Sequence, residues 1–88
     1  VKVSVIRLSN YIKDFSQVDL LKLNIEGSEY DVIQDLAEND QISKIDEILV
    51  QFHIVADTRR KYKMSQETLS KSHQKTRGNF KWETWKKI

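Results

Sequence analysis

The 88-residue sequence contains no cysteine, no proline and two glycines. The absence of cysteine excludes a disulfide framework and thiolate-bound zinc, and it agrees with a reducing compartment. The lack of proline and the presence of only two glycines argue against a long linker. The length predicts one domain. No apolar run approaches the ~20 residues that span a bilayer, and the start, VKVSVIRL, lacks the order of a signal peptide. We therefore predict a single soluble, cytoplasmic domain without a membrane span.

Charge is divided unevenly along the chain, although the formal net charge is only +2. Residues 1–57 contain five Lys/Arg and eleven Asp/Glu, whereas residues 58–88 contain ten Lys/Arg and two Asp/Glu. Such a division can mark an acidic site beside a basic segment that meets phosphates. The alternative is a pair of halves that attract each other while most charges stay solvated.

Hydrophobic periodicity predicts strands and helices in alternation. His73 is assigned to a basic polar helix, which predicts an exposed side chain. Phe80 and Trp82 alternate with Lys81 and Glu83. The predicted elements are an alternating strand over residues 1–7, a short helix Asn10–Phe15 capped by Ser9, a strand Asp19–Ile25, a helix from N-cap Ser28 to Asn39, a strand Glu47–Ile54, a helix Thr58–Ser72 capped by Asp57, and a terminal hairpin turning near Gly78-Asn79.

This order of elements predicts an α/β fold with a three-layer arrangement, a mostly parallel sheet and a terminal antiparallel hairpin. The nearly continuous apolar run of Asp19–Ile25 suits a strand covered on both faces. Strand, helix and strand over residues 19–54 form a βαβ unit, which places the two strands side by side and parallel.

Polar residues gather where the two central strands end. Asn24 and Glu26 follow the first of these strands, and Gln51 and His53 lie at the end of the second. Ligands in open α/β sheets bind beyond the carboxyl ends of the strands. We therefore predict that Asn24, Glu26 and His53 face one cleft, where a carboxylate and an imidazole can perform acid–base work.

Structural roles compete with this interpretation. Glu26 and Glu29 would also favour the positive end of a helix dipole, worth about 0.3–1 kcal/mol each. A single histidine on an apolar strand such as His53 is often a packed core residue. Trp82 and Trp85 favour core and sheet-edge packing over a stacking platform, because a tryptophan buries so much apolar area.

The stretch VDLLKLNIEGSEYDVI, residues 18–33, resembles the central signature of FkbM-type methyltransferases, K-x-D-x-E-G-x-E. Lys22, Glu26, Gly27 and Glu29 match it, whereas Asn24 replaces the usual aspartate. The later stretches EILVQFH, LSKSHQKT and FKWETW are also similar to parts of this family. The resemblance covers the C-terminal half of the domain.

The resemblance implies a partial Rossmann-like, class I methyltransferase fold that methylates a hydroxyl of a small molecule or glycan with S-adenosylmethionine. It implies catalytic roles for Glu26 and His53 and substrate contacts for Asn24 and Glu29, with no metal assigned. The glycine-rich cofactor loop is missing, because the two glycines stand far apart. We therefore expect the isolated chain to be inactive. We also expect the exposed edge Leu20–Ile25 to pair with a second copy, giving a homo-oligomer.

The basic C-terminal third suggests a second class of function, a non-catalytic binding module. Arg59, Arg60, Lys61 and Lys63 form a cluster that could contact nucleic acid or another acidic partner. The interleaved aromatic residues would then stack on bases. No nucleic-acid motif accompanies the cluster, so the methyltransferase interpretation leads. The aromatic residues concerned are Tyr62, Phe80, Trp82 and Trp85.

Overall fold

The computed structural model describes residues 8–88. The strand predicted over residues 1–7 lies outside them. A short 3-10 turn, Ile42–Lys44, leads into the second strand. The elements are α1 Leu8–Ile12, β1 Val18–Leu23, α2 Glu29–Glu38, β2 Ile45–Gln51, α3 Thr58–Ser70, β3 His73–Arg77 and β4 Trp82–Lys87.

The four strands form one sheet in the order β1-β2-β4-β3. β1 and β2 are parallel, with Val18 opposite Ile45 and Leu23 opposite Val50. β4 runs antiparallel to both β2 and β3, which confirms the terminal hairpin. The prediction of a mostly parallel sheet holds only in part for residues 8–88: the sheet is mixed, because the last strand of the hairpin lies between β2 and β3 and is antiparallel to both.

The helices cover one face of this sheet. α2 packs against both α1 and α3. On the helix side, Leu23 of β1 and Ile48 and Val50 of β2 are buried. On the other side of β1, Leu20 and Lys22 are exposed. The described part of the chain therefore has two layers, and the predicted third layer is not found there. We call the side of the sheet away from the helices the open face; its residues include Leu20, Lys22, Leu49, Gln51, Trp82 and Thr84.

Within residues 8–88, β1 is consequently at the edge of the sheet, with one exposed side. Leu20 is 55% exposed, and Asp19 and Lys22 are also exposed. The prediction that this strand is covered on both faces is wrong for the described residues. Its apolar run resembles that of a central strand, because an uncovered leucine and a buried one look the same in a sequence.

The core lies between the sheet and the helices. Ile33 and Leu36 of α2 are almost fully buried, as are Ile45 and Ile48 of β2 and Leu69 of α3. Each such side chain contributes about 1.5–3 kcal/mol of burial free energy. Phe52 joins this core to Tyr30, Tyr62 and Phe80 through ring contacts of 5.2–6.4 Å between centroids.

The helix starts differ from the predicted caps. Ser28 occupies the N-cap position of α2 but has helical torsion angles, φ −86° and ψ −3°, and its side chain makes no capping bond. Asp57 precedes α3 with a left-handed φ of 64° and likewise does not cap. Its carboxylate instead accepts from Arg60 at 3.0 Å. A capping side chain requires an extended backbone at this position, and neither residue has it.

The first helix also begins earlier than predicted. α1 starts at Leu8, so Ser9 lies inside it, where it is buried and donates its backbone N–H to Asp35 Oδ2 at 3.0 Å. Lys44 Nζ donates to the carbonyls of Ile12 at 3.0 Å and Phe15 at 2.8 Å. The ammonium ends α1 by occupying carbonyls at its C-terminus, a position that favours a positive charge.

His73 contradicts the prediction of an exposed residue in a helix. α3 ends at Ser70, and His73 opens β3 with 1% of its surface exposed. Its Nε2 lies 2.6 Å from the carbonyl oxygen of Ile45, and its Nδ1 lies 2.7 Å from Ser72 Oγ. These two partners satisfy both ring nitrogens, and they explain why a polar stretch contains a buried side chain.

Candidate functional site

The corner between β1 and α2 depends on two left-handed residues. Glu26 has a φ of 52° and Gly27 a φ of 105°. A Cβ at position 27 would also lie 2.8 Å from Val55 Cγ1. The site therefore needs a glycine there both for its backbone angle and for the close approach of the β2–α3 loop.

Glu29 ties this corner to the end of β2. It lies in the first turn of α2 and is fully buried. Its Oε1 accepts the Gly27 N–H at 2.8 Å, and its Oε2 accepts the His53 N–H at 2.7 Å. Charge-assisted bonds of this kind, at the positive end of a helix, keep a buried carboxylate stable.

The imidazole of His53 lies against the same carboxylate. Its Nδ1 is 3.3 Å from both oxygens of Glu29, and the His53 side chain is 27% exposed. An Nδ1–H facing a carboxylate leaves Nε2 with its lone pair, and this tautomer is assigned from the bonding network. A partly exposed Nε2 can accept a proton from a bound hydroxyl.

Tyr30 fixes the other side of the His53 backbone. Its hydroxyl donates to the His53 carbonyl oxygen at 2.7 Å. Burial and, to a smaller extent, the charges of Glu29 and Glu83 together raise the pKa of Tyr30 to about 12. Tyr30 therefore remains a hydrogen-bond donor at neutral pH. Successive residues of α2 thus hold the N–H and the C=O of one histidine.

The other two predicted site residues lie apart from this pair. Asn24 and Glu26 are exposed at the end of β1, and within the described chain neither side chain makes a hydrogen bond. The carboxylate that meets His53 is Glu29, three residues after Glu26. The sequence predicts a carboxylate at this corner. Which of the two carboxylates points inward depends on the start of the helix, which turns Glu29 toward the core.

A second buried carboxylate, Glu83, was missed by the sequence reasoning. Burial raises its pKa, but hydrogen bonds from Tyr62, Gln66, the Phe80 N–H and the Trp85 indole outweigh that effect and lower the pKa below its usual value. It fastens the hairpin to α3. The available signal was its spacing: Glu83 stands two residues before a buried tryptophan, on the same side of β4.

Burial along the last strand is the opposite of what an apolar residue alternating with a charged one suggests. Glu83 and Trp85 point to the core, whereas Trp82 is 38% exposed. Burial and the hydrogen bond to Glu83 together raise the pKa of Tyr62 to about 12. Of the four aromatic residues considered for base stacking, three are thus packed into the fold. Arg59, Arg60 and Lys63 are exposed on α3.

The described residues do not form a cradle for the implied adenosyl cofactor. Such a cradle needs glycines that let the backbone approach the ligand. Both glycines are instead closed by the protein itself, since a Cβ at Gly27 would meet Val55 and one at Gly78 would overlap the carbonyl oxygen of Trp82. The residues present therefore do not fit S-adenosylmethionine.

Other kinds of site are not found in residues 8–88. No three His, Asp or Glu side chains there are grouped so that they could hold a metal ion. A shallow depression of about 370 Å³ lies at the opposite end of the sheet, lined by Asp19, Asp46, Glu47, Lys86 and Lys87. No helix in this range has the length and apolar character needed to cross a bilayer.

Comparison with known proteins gives one family match. The model of the methyltransferase FkbM domain matches residues 1–81. The match covers most of the chain and includes the β1–α2 corner, β2 and the Glu29–His53 pair. Searches of the curated proteins and of the solved structures returned no match.

Proposed function

Because the chain belongs to the FkbM methyltransferase family, we propose that it forms part of a domain that methylates a hydroxyl of a sugar or natural-product acceptor. S-adenosylmethionine is the methyl donor that this family implies. The substrate belongs to the class of small molecules or glycans with a free hydroxyl.

The Glu29–His53 pair is the observation that carries this proposal. The pair lies at the carboxyl end of two parallel strands, where α/β sheets bind ligands. His53 Nε2 would accept the proton of the acceptor hydroxyl while Nδ1 faces Glu29. A carboxylate behind an imidazole orients the ring and stabilises its charged form. Glu29, being enclosed, would act on the acceptor only through His53.

Asn24 and Glu26 complete the proposed acceptor side. Both side chains are exposed at the end of β1, next to the corner that carries Glu29. Asn24 would hydrogen-bond an acceptor hydroxyl, and Glu26 would provide a second carboxylate for proton transfer. Asn24 cannot ionise, so it cannot replace the aspartate of the family signature as a base.

The methyl donor would be held by other polypeptide segments. The glycines of this chain are closed, so we propose that the isolated 88 residues do not bind S-adenosylmethionine and are inactive. A cofactor-binding half would have to assemble with them. We also propose that the outer edge of β1 pairs with another chain, since β2 is its one partner strand in the described part of the sheet.

The experiment is transfer of a labelled methyl group in a domain completed with the cofactor-binding half of another family member. His53→Ala should lower transfer by about 10²–10⁴-fold, the range of general base catalysis. Glu67→Gln, an exposed change on α3, is the control and should leave the rate unchanged. Equal rates for His53→Ala and the control would contradict the proposal.

A further inference from the structure

Lys22 and Trp82 make an unexpected contact across the open face. They belong to β1 and β4, which are not neighbours because β2 lies between them. The Lys22 Nζ nevertheless lies 5.5 Å from the centroid of the Trp82 ring. The lysine side chain therefore extends across the whole width of β2 and places its ammonium on the indole, a favourable cation–π contact.

This contact lies at the same end of the sheet as His53. Trp82 is paired with Gln51, the last residue of β2, and the Phe52 N–H donates to the Lys81 carbonyl at 2.6 Å. His53 follows directly. The indole, the ammonium and the imidazole thus belong to one region at the carboxyl end of β1 and β2.

Charge and exposure distinguish Lys22 and Trp82 from similar residues elsewhere. In the described chain the Lys22 ammonium has no carboxylate partner, whereas Lys75, which also lies over a tryptophan, is 3.6 Å from Glu83. Trp82 is exposed by 38%, whereas Trp85 is exposed by 3%. An accessible aromatic ring beside a cation without an anion is a set of groups suited to an anionic ligand that has an apolar face.

We propose that Lys22 and Trp82 form an acceptor subsite for a sugar ring that carries a carboxylate, such as a hexuronate. The carboxylate pairs with the Lys22 ammonium, and the C–H face of the ring packs on the exposed part of the indole that this ammonium leaves free. This inference rests on the proposed function, because it names the substrate class of the same site. A ring held there lies beside Gln51, two residues before His53.

The test is an NMR titration of the 88-residue chain with methyl glucuronide, with methyl glucoside as the neutral control. Each tryptophan gives one indole N–H resonance. The Trp82 resonance should shift with glucuronide, and the buried Trp85 resonance, whose N–H donates to Glu83 at 2.9 Å, should stay in place. No shift of Trp82, or an equal affinity for the neutral glucoside, would overturn the inference.

Two matched variants test the role of the charge. Lys22→Gln should weaken glucuronide binding roughly tenfold, the loss expected for one charge-assisted contact. Lys86→Gln removes an exposed lysine of the same sheet at its other end, where it pairs with Glu47, and should leave the affinity unchanged. Equal weakening by both variants would show general electrostatic attraction of the anionic sugar and would contradict a subsite.

The titration is independent of methyl transfer. Binding of glucuronide by Trp82 with no transfer in the completed domain would contradict the proposed function and leave the binding site standing. Transfer without glucuronide binding would retain the methyltransferase and overturn the acidic-sugar subsite. The position of the Trp85 resonance also reports whether each variant is folded. The comparison of the two sugars uses the unchanged chain, so it does not depend on any variant.

Discussion

At the scale of single residues, Glu29 holds the centre of the site together. Its side chain is enclosed, and backbone N–H groups from two different segments donate to its oxygens. A buried acceptor set of this kind is costly to disturb, because each N–H would lose its partner away from water.

Glu29→Gln is therefore expected to lower the free energy of unfolding by about 2–3 kcal/mol, since an amide presents a donor to at least one of these N–H groups. Glu26→Gln, at an exposed position in the same turn, should change it by less than about 0.5 kcal/mol. Urea unfolding of both variants measures the difference. Equal values would show that the enclosed carboxylate does not fasten the corner.

His73 gives the fold a pH dependence with a defined sign. Burial and the nearby charge of Lys87 lower its pKa below the usual 6.5, although the bond to the Ile45 carbonyl opposes the shift. The unfolded chain therefore binds the proton more readily than the folded chain. The stabilising contribution is complete above about pH 6.5 and is lost as the pH falls below it.

We expect the unfolding free energy to decline between pH 6.5 and pH 5, and to decline less in His73→Gln, which does not titrate. Below about pH 4.5 a further loss should follow, because Glu83 has a lowered pKa in the folded state and its protonation removes that advantage. Denaturant unfolding across this pH range measures both. An identical slope for the two proteins between pH 6.5 and pH 5 would contradict the role of His73.

At the scale of elements, the sequence predicts the type of each helix or strand better than it predicts which side chains face the core. Residues 19–25, 28–39, 47–54 and 58–72 belong mainly to the predicted type of element, and no glycine or proline interrupts any of these segments. The faces were less predictable. Glu83 is charged and yet buried, because hydrogen bonds from four neighbours make its burial favourable, and no local pattern shows those partners.

The hairpin between β3 and β4 depends on Gly78. Its φ is 88°, and a Cβ there would overlap the Trp82 carbonyl oxygen. Gly78→Ala should lower the unfolding free energy by about 2 kcal/mol or more, since it strains the backbone and displaces the next strand. Asn79→Ala, at the exposed neighbouring position, should cost less than about 0.5 kcal/mol. Thermal or urea unfolding of both variants measures the difference. Equal losses of unfolding free energy would contradict the role of Gly78.

At the scale of the whole molecule, the described chain forms two layers with an open face and an open edge. The alternation of elements predicts three layers only if both sides of the sheet are covered, and a sequence does not state on which side each helix packs. The Glu29–His53 pair illustrates the same limit. Its residues are 24 positions apart in the chain, and only the parallel pairing of β1 and β2 brings them together.

The exposed edge of β1 leads to a prediction about assembly. Leu20 is 55% exposed on β1, which pairs with β2 alone in the described part of the sheet, and unpaired strand edges recruit other chains. We expect the purified chain to sediment as a dimer or larger species, and Leu20→Lys to shift it toward the monomer. Lys13→Gln, an exposed change before the strand, is the control. A strictly monomeric profile for the unchanged chain would contradict pairing through this edge.

The central claim is that this member of the FkbM methyltransferase family carries the acceptor side of the site without the cofactor cradle. Isothermal titration of the folded chain with S-adenosylhomocysteine tests it most directly. The account predicts no binding, because both glycines are closed by Val55 and Trp82. Micromolar binding would contradict it and would show that these 88 residues, alone or as a dimer, build a cofactor site.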